Sequence, residues 1–309
     1  VSRAAASFKK VPLFKYLGNK NSYVLPTPMM NIINGGSHAN NNLDFQEIMI
    51  MPVGASSFSE ALRWGCEIFY NLKIILDQKG LSTSVGDEGG FSPQISSLDE
   101  AISLVCKAIE SSNRYPGQDV FLALDAAASE FFDNGYYFLK GTSKKYDKHQ
   151  FLQMWAAISR NYPIISIEDP FEENDFQSFA DLKNELNSNV QIVGDDLFVT
   201  NYKRLLKGID LNSGNAILVK LNQIGTLTET IKTVNLAKKF NFGTIISHRS
   251  GETEDNYISD LSVALNSGQI KTGSLSRSDR LSKYNQLLRI EEDLNNKAKF
   301  FGKNFINSS

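Results

Sequence analysis

The segment Ala216-Ile-Leu-Val-Lys220 is a short apolar run that ends in a charged residue. Five further segments share this pattern: Phe121-Leu-Ala-Leu-Asp125, Ile164-Ile-Ser-Ile-Glu168, Gln191-Ile-Val-Gly-Asp195, Thr244-Ile-Ile-Ser-His248-Arg249 and the shorter Gln269-Ile-Lys271. A run rich in Val, Ile and Leu that stops at a polar cluster is typical of a buried parallel strand. Successive runs end roughly 23 to 43 residues apart, which leaves room for one helix each. The pattern predicts an α/β barrel with all six charges on the face where the strands end, and hence an enzyme.

Helix signals fall between the predicted strands. At three places a serine or threonine is followed three positions later by glutamate, which is capping-box spacing, and each opens a stretch with apolar residues at helical intervals. These N-caps are Ser57, Ser97 and Thr226. Asn134-Gly135 lies between aromatic runs, as in a type I′ hairpin turn. Residues 140–148 and 159–162 have loop composition. With no internal repeat or linker, the sequence predicts one barrel domain.

Composition excludes several classes of partner. Among 309 residues, 32 Lys and Arg are nearly balanced by 34 Asp and Glu, and no long basic run occurs, so we expect no nucleic-acid or anionic-membrane partner. No apolar stretch reaches the roughly 18 residues of a membrane span, and we expect no signal peptide because the first residues contain no apolar region of that kind. Cys66 and Cys106 are expected to be buried core residues in a reducing compartment. These features predict a cytoplasmic protein.

Three of the strand-end residues are acids that suit a metal ion. Asp125, Glu168 and Asp195 supply hard oxygen ligands, which Mg²⁺ prefers over nitrogen or sulfur. Each taken alone is explained as well by a helix cap or a solvated turn. Three carboxylates crowded on one barrel face would repel one another strongly unless a cation offset them. Jointly they predict a divalent-cation site.

Basic residues end the remaining strands. Lys220 and Lys271, each taken alone, have the ordinary interpretation of a surface lysine with a packed stem. Beside a metal ion and a second lysine, however, the pKa of a lysine falls, and its neutral amine can accept a proton. His248-Arg249-Ser250 brings a guanidinium suited to phosphate or carboxylate. The predicted substrate is an anion.

Several longer segments carry a resemblance to a known family. They are Met29-Met-Asn-Ile-Ile-Asn-Gly-Gly-Ser-His38, Asp44-Phe-Gln46-Glu47, Val85-Gly-Asp-Glu88-Gly-Gly-Phe-Ser, Ser166-Ile-Glu168-Asp-Pro-Phe, Gly194-Asp195-Asp-Leu-Phe-Val-Thr, Ser247-His-Arg-Ser-Gly-Glu-Thr-Glu254 and Gln269-Ile-Lys-Thr-Gly273. In this order they resemble the enolase family over essentially the whole chain. One Gly-Asp-Glu-Gly-Gly alone would be weak evidence, whereas the whole set is specific.

The resemblance implies reversible dehydration of 2-phosphoglycerate to phosphoenolpyruvate, a glycolytic lyase reaction that uses a pair of Mg²⁺ ions. It implies that Lys220 removes the C2 proton, that Glu88 protonates the departing C3 hydroxyl, and that Glu47 shares a proton with Glu88. Asp125, Glu168 and Asp195 would hold the first metal ion. The residues implied at the substrate are His38, Gln46, Glu47, His248, Arg249, Ser250 and Lys271, and His38 is implied to be catalytic as well.

The resemblance also implies a domain organisation. Residues 1–20 are expected to be the end of a helix and linker of an N-terminal α+β capping domain, and residues 21–309 the TIM-like (β/α)₈ barrel of the enolase type. The capping domain itself is expected to be absent from this chain, which would leave the second Mg²⁺ site incomplete and the activity of the chain low. Family members are commonly homodimers when full length.

Two alternatives stay open from the sequence. An acid-sugar dehydratase or a racemase of the same superfamily would share the barrel and the three acids, but we would then expect Lys-x-Lys just before the first ligand. Phe121-Leu-Ala-Leu-Asp125 contains no lysine. The other alternative is a non-catalytic binding protein that keeps the enolase fold, a role that would leave no trace in these motifs.

Overall fold

The computed structural model describes residues 1–19, 21–186 and 190–304. Its strands are β1 (Val24–Leu25), β2 (Thr27–Asn34), β3 (Glu47–Met51), β4 (Phe121–Asp125), β5 (Phe132–Asp133), β6 (Tyr136–Leu139), β7 (Lys144–Tyr146), β8 (Ile164–Glu168), β9 (Gln191–Gly194), β10 (Ala216–Val219), β11 (Gly243–Ser247), β12 (Gly268–Lys271) and β13 (Lys299–Phe300). Its α-helices are α1 (Ser2–Phe8), α2 (Leu13–Leu17), α3 (Phe58–Gln78), α4 (Leu98–Ser111), α5 (Lys148–Asn161), α6 (Phe176–Leu186), α7 (Tyr202–Asp210), α8 (Leu221–Ile224), α9 (Leu227–Lys239), α10 (Tyr257–Ala264) and α11 (Ser278–Leu294).

Eight strands close into a barrel in the order β10-β11-β12-β2-β3-β4-β8-β9. All six strands predicted from apolar runs are present, within a residue or two of the predicted ends, so the predicted α/β barrel is confirmed. One strand departs from a regular parallel barrel, because β3 runs antiparallel to both β2 and β4. This reversal puts the first residue of β3, Glu47, level with the last residue of β4, Asp125. The end of the barrel where the parallel strands finish is called here the C-terminal rim.

Alternation along the strands separates two apolar clusters. One set of side chains fills the barrel interior and includes Met49, Ala123 and Leu218, all fully buried. The other set faces outward and packs under the surrounding helices, as Leu122 and Ile217 do. Because successive strand residues point to opposite faces, the interior residues lie two positions from the rim residues Glu47, Asp125 and Lys220. This alternation fixes the direction of the rim side chains, which point into the mouth of the barrel.

The predicted helix starts are confirmed. The side chains of Ser57, Ser97 and Thr226 each accept a hydrogen bond from the backbone N–H three residues later. Asn134 and Gly135 have φ of 48° and 86°, as a type I′ turn requires, and they join β5 to β6.

Other local predictions were wrong. Residues 140–148 are not simply a loop, since they contain β7 and the first residue of α5, and residues 159–161 belong to α5. Asp147 and Gln150 form a capping box there with an aspartate in place of serine or threonine. Cys66 is exposed and Cys106 half-buried, so neither is the predicted core residue. Cys66 lies on α3 just beside the buried stripe rather than in it.

The N-terminal helices lie against the barrel domain. The Arg3 guanidinium pairs with Asp255 at 2.5 Å, and Phe14 is buried, with its backbone N–H donating to Asp260 at 3.1 Å. The predicted domain boundary at residue 20 lies outside the described residues and stays a prediction. In the described ranges, no helix is both long and apolar enough to cross a membrane.

Candidate active site

The predicted site residues come together at the C-terminal rim. A cavity of about 330 Å³ opens there. Its lining includes His38, Gln46, Glu47, Glu88, Asp125, Asp195, Lys220, His248, Arg249, Ser250 and Lys271. The remaining predicted residue, Glu168, is fully buried at the end of β8 and reaches the others through Lys271. Side chains predicted from separate strand ends therefore form one cluster.

Lys271 is the centre of an acidic network. Its Nζ lies 2.7 Å from Asp125 Oδ2, 2.8 Å from Glu168 Oε1 and 3.4 Å from Glu47 Oε1. Burial alone would lower the pKa of this ammonium, but the surrounding carboxylates outweigh burial and raise the pKa well above its usual value. Lys271 is therefore a fixed positive charge in this arrangement.

Lys220 makes a similar pair with one acid. Its Nζ donates to Asp195 Oδ2 at 2.5 Å. Burial and the charge of Lys271 both lower the pKa of Lys220, but Asp195 and Glu168 outweigh them and the net pKa is raised. The mutual effect of the two lysines is present as predicted, yet the predicted neutral amine is not what these contacts favour. In this arrangement the contact with Asp195 favours the charged ammonium of Lys220.

Glu47 and Glu88 form a carboxylate pair beside two histidines. Burial and the charge of Glu88 raise the pKa of Glu47 to about 7. Burial would also raise the pKa of Glu88, but His248, His38 and Lys271 outweigh it and hold the pKa well below the usual range. His38 Nδ1 lies 3.4 Å from Glu47 Oε1 and 3.7 Å from Glu88 Oε1. In this arrangement Glu47 binds a proton more readily than Glu88 does.

The loop that carries Glu88 is placed by close backbone contacts. Phe91 forms bridges with Ile33 at the end of β2 and with Val85, which brings the loop to the rim. Gly89 has φ of 86°, and a Cβ there would approach the carbonyl oxygen of Ser276 to 2.9 Å. Only glycine fits this position without strain. The glycines around Glu88 thus let a buried acid sit against the β12–α11 connection.

Several residues at the site were missed from the sequence. Asp169 is buried, and its carboxylate accepts hydrogen bonds from the backbone N–H groups of Asp195 at 2.9 Å and Asp196 at 2.7 Å. Its position directly after Glu168 was the available signal. Arg280, on α11, is fully buried behind His248. Asn31, on β2, donates to Glu88 Oε2 at 3.3 Å. Asn31 lies within the quoted segment that ends at His38, but nothing marked it as a site residue, and Arg280 lies in none of the quoted segments.

The three predicted metal ligands are hard oxygen donors, whereas the groups within the described ranges whose ligand atoms all lie within 4.8 Å of one another are His38, Glu47 and Glu88, and Asp169, Asp195 and Asp196. Glu168 Oε2 and Asp195 Oδ1 are buried and have no hydrogen-bond partner among the described residues. Asp125 is also buried, and one of its oxygens accepts the Ala127 N–H at 3.0 Å. Unpartnered buried carboxylate oxygens are costly unless a cation or proton joins them. Oxygen donors of this kind suit Mg²⁺.

Comparison with known families agrees with this geometry. The chain matches the family described as Enolase, C-terminal TIM barrel domain, over residues 22–309. The protein belongs to the enolase family. This enolase-type barrel places it among lyase-type enzymes that act on small molecules, and members of the superfamily generally use Mg²⁺.

Proposed function

We propose that this enolase-family protein catalyses the Mg²⁺-dependent, reversible dehydration of 2-phosphoglycerate to phosphoenolpyruvate. The reaction removes a proton from C2 and a hydroxyl from C3. It therefore needs a base and an acid on different sides of the substrate, together with groups that hold the carboxylate and the phosphate. The rim of the barrel offers candidates for each.

The relative position of the base and acid candidates carries the proposal. In the ring of eight strands, β10 and β3 are four places apart, so Lys220 and Glu47 stand on opposite sides of the mouth. Glu88 is anchored through Phe91 to β2, the neighbour of β3. Lys220 and Glu88 both line the same cavity. A substrate between them would present C2 to one group and C3 to the other.

Lys220 is assigned the proton abstraction. The C2 proton is a poor acid, because the carbanion forms beside a carboxylate that already carries charge. Lys271, held positive between Asp125 and Glu168, would bind that carboxylate and stabilise the added charge. Bound Mg²⁺, held by Asp125, Glu168 and Asp195, would supply further charge stabilisation. Drawing Asp195 away from Lys220 would also lower the pKa of the amine.

Glu88 is assigned the protonation of the leaving hydroxyl. The paired carboxylates resist ionising together, so one proton is retained between them. The electrostatics favour Glu47 as its resting place, and delivery through Glu88 then requires the proton to pass within the pair. Arg249 and Ser250 line the cavity and offer a guanidinium and a hydroxyl to the phosphate.

One observation disfavours the acid-sugar dehydratase alternative. Ala123, two positions before Asp125, is fully buried in the apolar interior of the barrel. A lysine at this position would face the same interior, and the chain has none there. The homodimer is an expectation from the resemblance alone, and the cytoplasmic location is an expectation from composition and cysteine content alone.

The test is absorbance of phosphoenolpyruvate formed from 2-phosphoglycerate, with Mg²⁺ and after chelation. We expect formation only with the metal ion. The Glu88→Gln variant should lose elimination but retain exchange of the C2 proton with solvent deuterium, because Lys220 remains. Turnover of acid sugars but not of 2-phosphoglycerate, or equal loss of exchange and elimination with binding intact, would refute the assignment.

A further inference from the structure

Arg280 joins two loops of the site from behind. Its side chain is fully buried, and Nη1 donates to the carbonyl oxygen of Arg249 at 2.7 Å. Nη2 donates to the carbonyl oxygens of Ser250 at 2.7 Å and Asp87 at 3.1 Å. One guanidinium thus connects the loop that follows β11 with the residue before Glu88. A planar fork with several donors suits such a set of acceptors better than a lysine does.

The backbone makes room for this arginine. Gly273 follows β12 with φ of 81°, and a Cβ there would lie 2.6 Å from Arg280 Cδ. Asp279 lies 3.0 Å from Arg280 Nε and balances part of its charge. The guanidinium is therefore fixed in one position rather than free to swing into the cavity.

The same guanidinium decides which nitrogen of His248 carries hydrogen. Nη1 lies 2.5 Å from His248 Nδ1. Arginine has no acceptor and stays protonated in proteins, so Nδ1 must be the acceptor. A neutral imidazole that accepts at Nδ1 carries its hydrogen on Nε2. His248 Nε2 lies 3.2 Å from Glu88 Oε2, close to the proposed catalytic acid but without the alignment of a hydrogen bond.

This arrangement distinguishes the two oxygens of Glu88. Oε2 lies 3.2 Å from His248 Nε2 and accepts a hydrogen bond from Asn31 Nδ2 at 3.3 Å. Oε1 lies on the side of His38, at 3.7 Å from its Nδ1. An oxygen that accepts one hydrogen bond and lies beside a second donor is poorly placed to hold a hydrogen of its own. Oε1 is the oxygen left for the proton.

We propose that Arg280 is a positioning residue that holds His248 as the neutral Nε2–H tautomer, which makes Nε2 a donor available to Glu88 Oε2 and leaves Oε1 to carry the catalytic proton. The tautomer and its dependence on Arg280 concern the resting protein. The catalytic consequence rests on the proposed dehydration.

The first experiment reads the tautomer directly, without substrate. The chain has three histidines, so the imidazole nitrogens give few signals in ¹⁵N NMR, and exposed His149 serves as an internal reference. We expect wild-type His248 to show hydrogen on Nε2 only. Arg280→Lys keeps a charge and three donors but loses the fork, and should mix the tautomers. Arg289→Lys, exposed on the same helix, should not.

Hydrogen on Nδ1 of wild-type His248, or an unchanged tautomer in folded Arg280→Lys, would overturn the proposal. If Arg280→Lys does not fold, the wild-type spectrum still tests the tautomer. A second pair of variants then tests the donor without altering Arg280. Glutamine places an amide near the position of Nε2, whereas asparagine places it near Nδ1.

The second experiment compares His248→Gln with His248→Asn in both proton exchange at C2 and elimination at C3. Both variants should be slower than wild type, but elimination in His248→Asn should be slower than in His248→Gln by about tenfold or more, the effect of losing a donor to a carboxylate. The exchange rates of the two should differ much less. Equal elimination rates would overturn the role of Nε2. If wild type shows no dehydration at all but its tautomer is as expected, the proposed function fails while the positioning stands.

Discussion

The two ends of the barrel interior are built from the same strands but in opposite ways. On β3, β4 and β10 the inward-facing residue below the rim is Met49, Ala123 or Leu218, and each packs into a closed apolar cluster. Two positions along the same strands, the inward-facing residues are Glu47, Asp125 and Lys220. Below the rim the barrel is filled, and at the rim it encloses a cavity.

The difference between the two layers shows which of them lowers the folding stability of the molecule. Buried polar atoms without a hydrogen-bond partner in the described ranges are concentrated at the rim, among them Glu47 Oε2, Glu168 Oε2, Asp195 Oδ1 and His248 Nε2. Each such atom costs on the order of 1–3 kcal/mol when nothing binds it. The apolar layer below gains free energy from burial and supports these charges. A replacement at the rim should therefore reduce catalysis with little loss of stability, whereas a replacement in the apolar layer should do the reverse.

The Lys220→Met variant should lose catalytic activity but keep its folded structure. Removing the proposed base should slow exchange of the C2 proton by about 10³-fold, or ~4 kcal/mol in the barrier. Mg²⁺ binding should persist, since Lys220 is not assigned as a ligand. Deuterium incorporation into 2-phosphoglycerate, read by NMR, measures this effect.

The matched control for Lys220 is Lys203→Met, which removes an exposed lysine of α7. It should exchange at the wild-type rate. Wild-type exchange in Lys220→Met would remove the base from the proposal.

Leu218→Ala should do the reverse on the same strand and the same face. Leu218 is fully buried, so truncation leaves a cavity and should lower the free energy of unfolding by about 3 kcal/mol. Proton exchange per folded molecule should change far less than in Lys220→Met. Denaturant titration with exchange kinetics on the same samples gives both numbers. Leu211→Ala, at an exposed position, is the control. If Leu218→Ala loses as much catalysis as Lys220→Met does, the two layers are not separable.

The contrast between layers also explains which strands the sequence revealed. The strands ending in Asp125, Glu168 and Lys220 were predicted because an apolar run stops at a charge. Neither β2 nor β3 was predicted as a strand. On β3 the order is reversed, because the strand is antiparallel and its charge, Glu47, comes first. On β2 the residues at the rim are the uncharged Asn31 and Asn34.

The site was predictable where its residues sit at strand ends or in family motifs. Arg280 was missed because it acts from a helix distant in sequence from the residues it holds, and nothing local marks such a contact. The protonation states of the site residues could not be predicted from the sequence either. Whether Lys220 is charged depends on its 2.5 Å contact with Asp195, a distance that no spacing in the sequence specifies.

In the absence of metal, the buried acids at the rim should make the free energy of unfolding depend on pH. Glu47 has a pKa of about 7 in the folded protein against 4.5 ordinarily, so the folded state binds more protons between these values. Stability contributed below pH 4.5 is therefore lost as the pH rises to 7, by up to about 3 kcal/mol at ~1.36 kcal/mol for each unit.

In Glu47→Gln this loss should largely disappear, which denaturant titrations in EDTA at several pH values would detect. The exposed Glu100→Gln variant is the control and should leave the slope unchanged. A Glu47→Gln variant with the wild-type slope would show that burial of this carboxyl is relieved in another way.

Mg²⁺ should restore part of the folding stability that the unpaired polar atoms at the rim cost, and this effect is the smallest of the four predicted here. A ligand that binds only the folded state at about 100 times its Kd stabilises it by about 2.7 kcal/mol. Glu168→Gln should abolish most of this gain, yet cost little without metal, because burial and neighbouring acids raise the pKa of Glu168 well above its usual value and favour its uncharged form. Thermal unfolding with and without Mg²⁺, beside calorimetry for affinity, separates the two conditions. Glu110→Gln, exposed on α4, should keep the full gain. If Glu168→Gln keeps it too, the cation is held elsewhere, and the unpartnered oxygens at the rim need another explanation.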